Sequence, residues 1–201
     1  LPILNNLEKG MPDIEMAINL QPDNSDFYNE FAFGLEKLNR NEEATKRYKH
    51  AIELDPENYI AQMNLSRLEL ASHNYRSGWQ RYESRWKAQG LGLIPLVTKK
   101  PKLESFEVKN KKILIWGEQG LGDYIIYSTI LPDALKTDNE FIVVLDSRLL
   151  DLYKASFKDF KNVVFLDSAD NEDLYDYHLP FASLGQFFRN SKQDFLNQKI
   201  P

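Results

Sequence analysis

The chain has 201 residues, with 30 acidic and 25 basic side chains and a net charge of −5, so it lacks the broad basic field that attracts nucleic acid or anionic lipid. It contains no cysteine, which excludes a disulfide framework, a thiolate zinc site and a cysteine nucleophile. No apolar run reaches the ~18–20 residues needed to cross a bilayer, and no membrane span is expected. The start, LPILNNLEKG, has neither a Met nor a basic stretch followed by an apolar run, so it reads as the interior of a longer chain. Without thiols or a targeting pattern, a cytoplasmic location is expected.

The first half repeats itself. AINLQPDN (17–24) recurs as AIELDPEN (51–58), with Ala17/Ala51, Ile18/Ile52, Leu20/Leu54, Pro22/Pro56 and Asn24/Asn58 all 34 residues apart. That is the period of a helix–turn–helix unit. Tyr28, Phe31, Ala32 and Leu35 mark the inner face of a first helix. Ala44, Tyr48 and Ala51 mark a second, with small residues where two helices approach closely. LNRNEEA (38–44) is the polar turn and Pro56 ends the second helix. A decayed copy comes next, with Leu65, Ser66, Gly78 and Tyr82 in place of Phe31, Ala32, Ala44 and Tyr48. The piece up to Gln21 supplies the closing helix of an earlier repeat. This half resembles tetratricopeptide repeats over residues 1–87. The resemblance implies either a groove for a protein or peptide partner or a platform for the next domain. Trp79, Tyr82 and Trp86 form an apolar stripe on the last helix that favours packing against the next domain over capping the array.

Residues 88–110 have no period and read as a linker or irregular strap. Then KKILIW (111–116) predicts a buried strand, and DYIIYSTILPDALK (123–136) a helix with Ile126, Ile130 and Ala134 on one face and a bend near Pro132. FIVVLD (141–146) predicts a second strand, SRLLDLYKASF (147–157) a helix opened by Ser147, and NVVFLD (162–167) a third strand. LYDYHLPFASLGQFF (174–188) predicts a short fourth strand and a helix. The expected fold class is α + α/β: helical hairpins followed by one Rossmann-like parallel α/β unit over 111–201. Ligands of such sheets bind at the carboxyl ends of the strands, where GEQGLGD, LDSR, LDSADNE and YHLPFAS all fall.

WGEQGLGD (116–123) spaces its glycines as G-x-x-G-x-G, which is neither the dinucleotide fingerprint nor a P-loop. Two readings stay open. In one, Gly120 and Gly122 supply positive φ in a tight turn and Asp123 is the N-cap. In the other, the loop holds a ligand, with backbone N–H groups at Gly120 to Asp123 meeting an anionic group. Glu118 and Gln119 either touch an acceptor sugar or are solvated. Asp146, Asp167 and Asp170 show no metal-ligand spacing.

ILIWGEQGLGDYIIYSTILP (113–132) resembles the opening of GT-B glycosyltransferases of the heptosyltransferase, family 9-like kind. With the repeats and the joint GWQRYESRW (78–86), the chain looks like bacterial repeat proteins carrying such a domain at their C-terminal end. YDYHLPFASLG (175–185) is similar to that family's YD-H-P-SLP segment, with Gly185 replacing the final Pro. The resemblance implies transfer of a sugar from a nucleotide donor to a saccharide or protein acceptor, without a bound metal ion or other cofactor. It maps the base that deprotonates the acceptor hydroxyl onto Asp123. His178 is a second catalytic candidate, against a purely structural role, and Glu118, Gln119, Gly120 and Gly122 are the substrate-binding candidates. A GT-B enzyme needs two Rossmann-like halves, and these residues supply one, so these residues alone are expected to show no turnover. The alternative from another class is a non-catalytic adaptor working through its repeats.

Overall fold

The computed structural model describes residues 2–118 and 120–198, with side chains from residue 8 onward. The chain forms two compact units, Leu1–Gly92 and Leu93–Pro201.

The first unit is helical: α1 (Pro2–Leu20), α2 (Ser25–Lys37), α3 (Asn41–Leu54), α4 (Tyr59–Ala71) and α5 (Tyr75–Tyr82), closed by a 3₁₀ turn at Glu83–Trp86. The 34-residue spacing has a local cause. Asn24 and Asn58 begin α2 and α4, accepting the N–H groups of Asp26 (3.0 Å) and Ala61 (2.9 Å), which satisfies donors that a helix start leaves unpaired. Asn58 also donates to Ser25 Oγ (2.8 Å), which donates to the Ala51 carbonyl (2.8 Å). Thus the first turn of α2 is tied to the start of α4, one repeat later. Tyr28, Phe31, Ala32, Leu35, Ala44, Tyr48, Ala51 and Leu65 form one core. The smallest residues sit where helices approach: a Cβ on Gly78 would lie 2.8 Å from Leu70 Cγ. A polar chain crosses the same helices. Tyr48 donates to Glu36 (2.9 Å), Glu36 pairs with Arg67 (3.6 Å), Arg67 donates to Asn64 (2.9 Å), and Asn64 to Asn29 (3.0 Å). Burial, reinforced by Glu36, raises the Tyr48 phenol above its ordinary pKa, so it stays a donor. On α5, Trp79 packs edge-to-face on Tyr82, and Arg85 lies over the Tyr82 and Trp86 rings.

The second unit is built on four parallel strands, β1 (Lys112–Trp116), β2 (Glu140–Val144), β3 (Val163–Leu166) and β4 (Tyr177–Pro180), in the order β3-β2-β1-β4. β1 lies inside the sheet, and Ile113, Leu114, Ile115 and Trp116 are all buried, as both faces of a parallel sheet require. One face packs Ile113, Ile115, Phe141, Val143, Phe165 and Leu179 against α6 (Leu121–Ser128), α7 (Leu131–Ala134) and α8 (Leu150–Ser156). The segment before β1 does not stand apart from this unit. Leu103 is buried in the same core with Phe106 and Val108 packed on it, and Leu103 N–H donates to the His178 carbonyl (2.9 Å).

Two helices differ from the sequence expectation. The run 123–136 is not one bent helix, because α6 stops at Ser128, four residues before Pro132. A proline ring clashes with the carbonyl four positions back and offers no N–H, so the break falls there. Ser128 and Thr129 hydroxyls donate to the carbonyls of Ile125 (2.7 Å) and Ile126 (2.8 Å). The break shifts the helical phase, so Ile130 and Ala134 are buried but Ile126 is 63% exposed. In the next connection Asp146, not Ser147, is the cap. It accepts Arg148 N–H (3.0 Å) ahead of a 3₁₀ turn (Ser147–Leu149) that leads into α8. Beyond β4 come a 3₁₀ turn (Phe181–Leu184), α9 (Gly185–Phe188) and α10 (Lys192–Leu196). Among the described residues, no helix is long and apolar enough to cross a membrane.

Candidate functional site

The connections from β1 run outward through β2 to β3, and the chain then returns to place β4 on the other side of β1. The strand order therefore reverses between β1 and β4, and the carboxyl ends of these two strands flank the crevice where open α/β sheets bind ligands. The loop 117–120 leaves β1 here and Phe181–Leu184 leaves β4.

Three interactions shape the loop. Tyr124 lays its ring directly on Gly117: a Cβ there would fall within contact of the ring carbons and hydroxyl. The same ring meets Phe181 edge-on at 6.3 Å, and the Tyr124 carbonyl accepts the Tyr153 hydroxyl at 2.6 Å. Glu118 Oε1 accepts Ala182 N–H at 2.9 Å. Asp123 Oδ2 accepts Gly120 N–H at 3.2 Å, while Asp123 N–H donates to the Gly120 carbonyl at 3.0 Å.

These contacts correct the geometric reading of the glycines. Gly120, not Asp123, is the N-cap of α6, and Asp123 is its third residue, reaching back to the cap. Neither Gly120 nor Gly122 has positive φ. Gly120 is extended at φ −80°, and the glycines in the left-handed region are Gly90 and Gly92. The glycine with a side chain in its way is Gly117, where a Cβ would meet the Tyr124 ring. A Cβ on Gly122 would meet nothing within 4 Å, and one on Gly120 only Asp123 Oδ2 at 4.0 Å, so no packing in the unit calls for small residues at these two positions. Replacing Gly117 with Ala is expected to cost about 1–3 kcal/mol by overpacking. Urea unfolding checks this, and adding Tyr124→Ala, which removes the obstructing ring, should shrink the further loss.

The remaining candidates separate. Glu118 lies on the loop after β1 and Asp123 in the first turn of α6, both half-buried, and Gly120 and Gly122 are exposed between them. Gln119 lies outside the described residues. Asp146 grips Arg148 with both oxygens (2.8 Å each), which holds its carboxyl down to about 2. Burial, and next the Asp146 charge, raise the Tyr124 phenol. Asp167 and Asp170 are exposed beyond β3. Among the described residues, no three His, Cys, Asp or Glu side chains could together hold a metal ion.

His178 is not brought to Asp123. It lies in register with Leu114, on the sheet face away from the helical layer that contains α6. Its Nδ1 accepts the Trp116 indole N–H at 3.1 Å, which leaves the neutral ring's proton on Nε2. A part for His178 in chemistry is therefore confined to donation by Nε2. Burial, and next the charge of Lys102, lower its pKa. The unfolded chain then binds this proton more readily than the folded one, so stability is present above about pH 6.5 and is lost as pH falls below it. Thermal midpoints taken between pH 8 and 5 should drop more steeply for the wild type than for His178→Gln, whose amide oxygen still accepts from Trp116.

Sequence reasoning missed Arg189. It is 1% exposed and joins α9 to the α6–α7 break, donating to Asp133 (2.7 Å) and to the carbonyls of Thr129 (2.9 Å) and Phe188 (2.7 Å).

No known family's sequence profile matches the chain. It is 27% identical over 197 residues to Protein FlbA of Caulobacter vibrioides, covering 85% of this chain and 31% of that protein. Among solved structures it is similar to an O-GlcNAc transferase mutant from Thermobaculum terrenum, with a TM-score of 0.39 and 12% identity over 85% of this chain and 39% of that one. The chain therefore spans less than half the length of either protein.

Proposed function

We propose that this chain is part of a glycosyltransferase-like protein that moves a sugar from a nucleotide donor to a saccharide or protein acceptor. In this reading residues 1–87 are tetratricopeptide repeats for a protein or peptide partner, 88–110 connect, and 111–201 form one Rossmann-like half of a GT-B domain. The observation that carries the reading is a carboxylate, Asp123, on a glycine loop at the carboxyl edge of a parallel sheet, beside the reversal of strand order. Asp123 is the base that takes the acceptor hydroxyl proton, and the freed oxygen attacks the anomeric carbon as the nucleoside diphosphate leaves. The resemblance of residues 113–132 and 175–185 to heptosyltransferase-like domains supports the same assignment. A cytoplasmic location fits a nucleotide-sugar donor.

A second reading is a non-catalytic adaptor acting through its repeats. The observation behind it is that Glu118, Asp123 and His178 each have a partner within the chain, as residues with purely structural roles would. Turnover separates the two. The intact protein supplied with a panel of nucleotide-sugars and saccharide or peptide acceptors should release nucleoside diphosphate in an acceptor-dependent way. If none is released with any pair while a partner binds the repeats, the adaptor reading replaces the first.

A further inference from the structure

The geometry points to Glu118 as a positioning residue that sets the Gly120–Asp123 loop across the β1–β4 crevice, rather than as a ligand of substrate. This rests on the transferase reading only where rates are concerned. The buried turn Phe181–Leu184 begins at Ala182 and its neighbours with donors that need an acceptor, and the position that would cap it is Pro180, which has no side-chain acceptor. Glu118 supplies that acceptor from a segment 64 residues away, at 2.9 Å from a fully buried N–H. A carboxylate bonded to a backbone N–H makes a strong, short link, and losing it leaves the buried donor unsatisfied. The link lies just beyond the last paired residues of the two strands, Trp116 and Pro180, and joins the loop leaving β1 to the turn leaving β4. Gly117 is clamped by Tyr124 on one side of Glu118, and Gly120 is held by Asp123 on the other. Both flanks contact the helix that carries Asp123, so the inference is that a loop released from Ala182 shifts this helix, and with it the Asp123 carboxylate, relative to the end of β4.

Glu118→Gln keeps an acceptor at the same reach, Glu118→Asp keeps the charge but falls short of Ala182, and Glu118→Ala keeps neither. Amide spectra and hydrogen exchange of the chain should show Ala182 losing protection in the Ala variant, with resonances of Gly120, Gly122 and Asp123 shifting together. The Asp variant should show a milder form and serves where the Ala variant does not fold, and Gln should resemble the wild type. In the intact protein Glu118→Ala should lower kcat about 100-fold, the scale of a small misplacement of a reacting group, with KM for donor and acceptor nearly unchanged and most of the rate restored by Gln. Three results would overturn the inference: Ala182 losing protection while Gly120–Asp123 stay in place, acceptor KM rising with kcat kept, or Gln behaving like Ala. If the wild type transfers no sugar, the transferase reading fails and the amide spectra alone decide whether Glu118 sets the loop.

Discussion

Replacing Asp123 with Asn in the intact protein is expected to lower sugar transfer by about 10²–10⁴-fold, the usual contribution of a positioned general base. The substitution is chosen to separate two roles that meet in one carboxylate. Asp123 Oδ2 accepts Gly120 N–H at the start of α6, and an asparagine carbonyl can accept the same bond. The helix start is kept, while the capacity to take a proton is lost. Stability by urea unfolding should change by no more than about 0.5 kcal/mol. Asp123→Ala removes both functions and should add about 1 kcal/mol of destabilisation. An Asn variant with full activity would leave Asp123 as a helix-start residue and nothing more.

The largest effect on stability is expected at Arg189. Its guanidinium joins Asp133, Thr129 and Phe188 in a nearly water-free place, and removing one member of such a group leaves polar partners without compensation. Arg189→Ala should cost about 3 kcal/mol, the lower end of the range for a broken buried pair, because Asp133 keeps a second partner in Lys136 at 2.7 Å. Arg189→Lys keeps the charge but not the fork that reaches two carbonyls at once, and should fall between. The loss also depends on pH. Although burial pushes Asp133 upward, hydrogen bonds from Lys136 and Arg189 hold its carboxyl below the ordinary range. Its stabilisation is present above the unfolded value near 3.8 and disappears as pH falls through the folded value. Denaturant midpoints of wild type and Arg189→Ala should therefore converge in acid.

What could be read from the sequence was what chain neighbours decide. The 34-residue period is visible because Asn24 and Asn58 each cap the helix that they precede, and because Ala44 and Ala51 stand where helices touch. The strands are visible because β1 must be apolar on both faces. What escaped depends on partners far apart in the chain. Arg189 belongs to no motif or periodic pattern, and its acid partner lies 56 residues away. Glu118 reads as an exposed loop acid until β4 is placed beside β1. Gly117 is required by the ring of a residue in the following helix, whereas the glycines that drew attention, Gly120 and Gly122, meet no obstacle. The break between α6 and α7 has a local origin that is only partly legible. Pro132 marks the bend, but its ring acts four residues earlier, and the phase of Ile126 changes with it. Leu103 and Phe106 sit in a segment without periodicity, so nothing in their spacing announces that they belong to the core of the second unit.

The most direct measurement is a titration of the isotopically labelled chain with nucleotide-sugars and with candidate acceptor saccharides, followed through its backbone amides. If the loop at the β1–β4 crevice is a substrate site, shifts should centre on Gly120, Gly122 and Asp123, extend to Ala182 through Glu118, and weaken in Asp123→Asn. No shift at millimolar ligand with the loop amides well resolved would contradict the account, and shifts confined to α2 and α4 would in addition assign the chain's binding function to its repeats.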